Sequence, residues 1–381
     1  MTRLCRIFVV TVFVAVTLNL GFQSVQAQRL SLPSQQVSFT TEVDGKRLAC
    51  RRTTNRDVQA LSKRSIVKQH VITPAAHFNP NGLTIVLRAT PQLENFPEAK
   101  AAFLAAAARW ESLIKTRITI VIDVDFGPTF FDLPFGPNVL GATYTQNLLG
   151  PGAYDFVRLS LFFGSSNLSE LMLYSRFPAG KVRTDIGSTD IIFSPSATFR
   201  ALGLMSATAN PTGEMASFGP PPAIAFNSSF SYDFNPNDGI DADKLDFDGI
   251  ATHEIGHALG FASNVGFSEL LPGFPPTPTV LDLFRFRPNV TLSLFSNGTR
   301  ILSSGGDQVF YSLNSEIPLS TGRPDGMGGD GAQASHWKFV ADPQQPPLGI
   351  MEPFIRIGQR KVITDNDLRA FNTIGYRLSS E

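Results

Sequence analysis

The stretch His253-Glu254-Ile255-Gly256-His257-Ala258-Leu259-Gly260-Phe261 decides how this chain is read. In an α-helix, residues four apart stand one turn apart on the same face, so His253 and His257 can aim both imidazoles at one point. Neutral imidazole nitrogen is a good zinc ligand, and catalytic zinc keeps one coordination position for water. Glu254 is offset by one residue, so it flanks such an ion without occupying it. There its carboxylate can take the proton of attacking water while the metal polarises a carbonyl. This spacing is the zinc-peptidase signature. The plain alternative is two core histidines on an amphipathic helix. The chain holds five histidines, and two of them fall here, around a Glu and ahead of a Gly, which weighs against that alternative.

The flanks support a helix. Asp246 or Asp248 can cap its N-terminus, and Ile250, Ala258, Leu259 and Ala262 supply apolar packing. Gly260 comes where the chain must turn sharply for a third ligand to reach the metal. Residues 253–261 resemble the metzincin zinc peptidases. In most metzincins a third His follows the Gly by three residues, but here that position is Ser263, a poor ligand. The order that follows resembles the leishmanolysin-like metzincins. His336 stands in Ala334-Ser335-His336-Trp337, and Met351 stands in Gly349-Ile350-Met351-Glu352-Pro353, which looks like a Met-turn. The resemblance implies that His336 is the third ligand and that Met351 lies beneath the metal as a packing residue. Read from the residues alone, His336 can equally be a packing His beside Trp337. Glu269 and Asp282 are the acidic alternatives for a zincin of another class, and His70 and His77 lie in or near an N-terminal extension.

Composition bounds the rest. The chain has 381 residues, 43% hydrophobic and 17% charged, which is a globular balance with room for one large domain or two modest ones. Basic and acidic residues both number 32, so there is no electrostatic reason to expect a nucleic-acid or membrane-surface partner. The expected partner is a protein or peptide substrate. Phe, at 32, far exceeds Tyr, at 6, and is read as core filling.

Residues 1–27 read as a signal peptide. Arg3 and Arg6 precede an apolar run from Ile7 to about Leu20, and Val25 and Ala27 stand before a cut that leaves Gln28 first. An uncleaved anchor is the alternative, but the run is short for a span. The mature protein is then secreted or periplasmic. Cys5 leaves with the signal and Cys50 remains alone, so no intrachain disulfide forms. Residues 28–75 are basic and read as a pro-segment or N-terminal extension, with Lys63-Arg64 as a processing site. Resemblance to matrixin and leishmanolysin pro-regions offers Cys50 a role as a zinc-blocking thiolate beside Arg51 and Arg52, although an incidental cysteine fits the residues better. Cys50→Ser should then raise the activity of the unprocessed form.

Strands are expected at 83–87, 118–124, 139–144, 190–194 and 223–226, and helices at 98–114 and 154–163. The stretch 264–335 reads as loops and short strands. A last helix starts at Thr364, with Asp367 at its third position and Leu368, Phe371 and Ile374 on one face. The fold class is therefore α+β. By resemblance it is a metzincin-like zincin: a mixed, mostly parallel twisted sheet with an active-site helix, over 76–263, and a looser C-terminal subdomain ending in a helix, over 264–381. The resemblance also makes 223–226 the sheet edge that pairs with extended substrate, although an ordinary interior strand fits the residues as well. The loop from Asp233 to Asp243 is oxygen-rich and can be considered for calcium. It lacks the Gly of an EF-hand and carries Lys244 where the last ligand would be, so a solvated turn fits better. Asn167, Asn227, Asn289 and Asn297 each begin an Asn-x-Ser/Thr triplet.

These readings converge on a secreted zinc-dependent endopeptidase. The alternatives are a zincin with an acidic third ligand and a secreted non-catalytic protein stabilised by zinc. A closed structural site would have no need of Glu254.

Overall fold

β-branched runs build the centre of the sheet. In the computed structural model, residues 37–44, 47–52 and 69–379 are described, apart from 136–138, 146, 151–152, 236, 313–314 and 343. The signal expected over 1–27 and the Lys63-Arg64 pair lie outside the described residues. Eight strands form the main sheet: β1 (Val37–Asp44), β2 (Arg47–Arg52), β3 (His70–Val71), β4 (Thr84–Ala89), β5 (Thr119–Gly127), β6 (Val139–Thr145), β7 (Ala223–Asn227) and β8 (Phe354–Arg356). Their spatial order is β8-β2-β1-β6-β7-β5-β4-β3. The parallel pairing expected holds at the centre, where β5 lies between β4 and β7. The flanks are antiparallel on both sides. β5 is buried almost throughout, as a strand covered on both faces should be.

Helix α1 (Pro97–Leu113) connects β4 to β5, and α2 (Ala153–Gly164) follows β6. The buried stripe of α1 is Ala99, Ala102, Phe103, Ala106, Ala107 and Trp110. Its alanines let α1 come close to α3 (Phe247–Leu259), the helix that carries the histidine pair. Trp110 Nε1 donates to the Thr252 carbonyl at 2.9 Å, and Arg109 pairs with Asp248 at 2.9 Å. Phe247 opens α3 inside a ring of Phe103, Phe126, Phe226, Tyr232 and Phe234, with centroids 5.0 to 5.6 Å away. The phenylalanine excess is spent in such clusters. One apolar core runs from Ile72, just after β3, to Tyr376 past the last helix, α4 (Asp365–Thr373). Trp110 of α1 meets Phe371 of α4 edge to face at 4.8 Å. Among the described residues, no helix is long and apolar enough to cross a membrane.

The expected substrate-pairing edge at 223–226 is corrected by the sheet order. β7 is bonded to β5 on one side and β6 on the other, so its backbone donors and acceptors are used within the sheet. Gly141 makes the close pairing of β6 work, because a Cβ there would sit 2.4 Å from the Phe226 ring. The 28–75 stretch contributes β1 and β2, which continue the sheet beyond β6 as far as β8. Val37, Phe39, Thr41 and Val43 alternate with polar residues along β1, the period-two signal of a strand. Cys50 lies on β2, its backbone opposite Thr41; its side chain is outside what is described. The strand at Ile192–Pro195 pairs with Asn147–Gly150 in a separate two-stranded sheet and ends at Pro195, which has no N–H for a ladder.

Candidate metal centre

Helix α3 is cut to length by side chains and by glycine. Asp246 caps its start, accepting the Gly249 amide at 3.0 Å. Asp248, the other candidate cap, is the partner of Arg109. The helix stops at Gly260, whose φ of 129° an L side chain rarely adopts. Space forbids one as well, since a Cβ there would lie 2.2 Å from Thr198 Oγ1. The turn delivers the Phe261 carbonyl back to the helix, where His257 Nδ1 donates to it at 2.7 Å.

The structure brings His336 to the pair that α3 presents. His257 Nε2 is 3.0 Å from His253 Nε2 and 3.2 Å from His336 Nε2. One ligand atom from each of the three residues lies within 4.8 Å of the others. All three are buried, with His257 and His336 at 0% exposure. Each Nδ1 faces a backbone carbonyl: His253 that of Ile350 at 2.7 Å, His257 that of Phe261, and His336 that of Gln333 at 3.0 Å. A carbonyl only accepts, so each Nδ1 carries the proton and each neutral ring turns its Nε2 lone pair inward. Burial is the main cause holding the rings neutral. It pushes His257 down to about 3 and His253 and His336 well below the usual imidazole range, with repulsion from the neighbouring rings adding to it for the last two.

Three inward lone pairs repel one another unless a cation sits among them, and the separations suit one. Two nitrogens about 2.0–2.1 Å from a tetrahedral zinc stand roughly 3.3 Å apart. The donor set therefore fits a single divalent ion that prefers nitrogen.

The surroundings of the cluster are equally specific. Met351 is fully buried and packs under α3 at Gly256, where an added Cβ would be 2.5 Å from its Sδ. Position 256, just before His257, is thus Gly because Met351 occupies the space. Glu254 is buried on the same helix, one residue beyond His253. Asp367 of α4 accepts from the amides of Ile350 at 2.9 Å, Met351 at 3.3 Å and Thr364 at 2.8 Å, and from the Trp337 indole at 2.8 Å. The sequence marks Asp367 as a capping residue. Its second task, holding the Met351 turn that in turn holds His253, leaves no local signal.

The other candidates are engaged elsewhere. Asp282 accepts from Ser263 Oγ at 2.6 Å and from the Asn264 and Thr279 amides. Glu269 accepts from the amide and hydroxyl of Ser304. His70 pairs with Glu94, and His77 lies 4.0 Å from Glu111. In the acidic loop, Asp233 caps the amides of Asn235 and Asp241, and Lys244 bonds Asp241 at 2.7 Å. Among the described residues, the three histidines are the one group of this kind close enough to hold a metal ion. No protein-family model matches the chain, and neither does any curated protein or solved structure.

Proposed function

We propose that this chain is an exported zinc-dependent endopeptidase of metzincin-like, leishmanolysin-like arrangement. One observation carries the reading: three buried imidazoles present Nε2 to a common point, and Glu254 stands on the same helix beside them. His253, His257 and His336 would hold the zinc, which when bound supplies a Lewis acid that polarises a carbonyl and acidifies water. Three protein ligands suit a catalytic zinc, whereas a structural zinc is closed by four. Glu254 takes a proton from the attacking water at a carboxylate oxygen and returns it to the amine that leaves. Asp367 and Met351 fix the floor on which His253 rests. Export follows from the charge, apolar run and small residues of positions 1–27.

The test is casein digestion by the purified mature chain, with and without chelator, alongside Glu254→Gln. The variant is expected to retain one zinc per chain and to cleave about 10²–10⁴-fold more slowly. Readdition of zinc should restore the chelated wild type. Glu254→Gln cleaving at the wild-type rate would refute the mechanism. Wild type that binds zinc but cleaves nothing would instead indicate a zinc-stabilised binding protein.

A further inference from the structure

A fully buried ion pair lies beside the metal centre, and its bonds end on the segments that carry the ligands. Asp282 and Arg285 are both 0% exposed and meet at 3.2 Å. Burying two charges is costly unless each finds further partners. Asp282 finds them just beyond the Gly260 turn, at Ser263 Oγ and the Asn264 amide. Arg285 finds them around His336. Its Nη2 donates to the Ala334 carbonyl, two residues before the ligand. Its Nη1 donates to the Ser320 carbonyl at 3.2 Å, and the Ser320 amide donates to the His336 carbonyl at 3.0 Å. A second link closes the ring. The Ser263 amide donates to Ser335 Oγ at 2.9 Å, and Ser335 adjoins His336.

Ser263 stands at the position where the resemblance leads one to expect the third His, and it holds both arms of this network, Asp282 through its hydroxyl and Ser335 through its amide. We infer that Ser263, Ser335 and the Asp282–Arg285 pair are positioning residues that dock the distant His336 segment onto the end of the helix bearing His253 and His257. In this chain a hydrogen-bonded clamp does the placing that a short local turn would otherwise do. Asp282 serves the metal centre by holding its third ligand and not by acting as one. The inference rests on the metal-centre reading above.

The test is cobalt(II) titration of the full mature chain, reading affinity and the visible absorption of the bound ion, with thermal unfolding measured in parallel. Ser335→Ala removes one clamp without stranding a buried charge. Arg285→Gln removes the other. Arg200→Met is the control: it breaks the buried Arg200–Glu214 pair, and the Arg200 guanidinium bonds Ser206, Thr208 and Glu214 and no residue of the clamp. Ser335→Ala and Arg285→Gln are expected to weaken cobalt binding about 10–100-fold and to alter the spectrum. Arg200→Met should lower thermal stability and leave both unchanged. Should Arg285→Gln not fold, Ser335→Ala decides the matter. Wild-type affinity and spectrum in the clamp variants, with metal lost in His336→Ala, would overturn the positioning role alone. Unchanged affinity in His336→Ala as well would overturn the three-imidazole site, and the clamp with it.

Discussion

At the scale of single residues, the chemistry rests on protonation. The three ligand rings are neutral because they are buried, and neutral imidazole is the form that binds metal. In the unfolded chain the same rings titrate near the ordinary value of about 6.5. Their folded values lie lower, so the unfolded state binds more protons once the pH drops below that value. Stability of the metal-stripped protein is therefore complete above about pH 6.5 and falls with acidification, each ring adding up to about 1.4 kcal/mol per pH unit. Urea unfolding of the stripped chain between pH 7.5 and 5 checks this, and the triple His→Ala variant should lose the slope. A wild-type profile that falls no more steeply than that of the triple variant would mean the rings are not buried neutral. The pair and Glu254 were legible in the sequence because a helix repeats within four residues. His336 was legible only through resemblance, since 79 residues separate it from His257 and no periodicity spans that gap. Asp282 was marked only as a rival ligand, and Ser335 and Arg285 carried no local signal, because the clamp joins residues far apart in the chain.

At the scale of elements, α3 depends on its ends. Asp246 is buried, accepts the Gly249 amide, and also meets the Lys361 amide at 3.3 Å and Arg360 at 3.5 Å. Asp246→Ala should cost about 1–2 kcal/mol, the loss of an N-cap with its further contacts. Denaturant unfolding of the metal-free protein measures it, and no measurable loss would mean the helix is held by packing alone. Strands rich in β-branched residues were predicted close to where they occur, and so were α1, α3 and the Thr364 start of α4. Pairing was the harder inference. Which strand ends a sheet depends on neighbours far away in the chain: the resemblance implied an edge at β7, the residues fitted an interior strand as well, and β6, β1, β2 and β8 lie beyond it. The β1–β2 hairpin carries a weak strand signal, because polar Thr41 interrupts the apolar alternation of Val37, Phe39 and Val43 and three of the six residues of β2 are arginines.

At the scale of the whole molecule, one apolar core takes in residues of the sheet, of the helices and of the loops that follow residue 264, and His253, His257 and His336 come together within the fold. Trp337, next to His336, packs against Phe261 at 4.7 Å and donates to Asp367, so the third ligand is tied to both the helix turn and the closing helix. The central claim is that three rings distant in the chain hold a single ion. Anomalous diffraction at the zinc edge, on crystals of the zinc-loaded mature protein, tests it most directly. The account predicts one peak, about 2.0–2.1 Å from Nε2 of His253, His257 and His336. A peak elsewhere, or one that His336 does not reach, would contradict it.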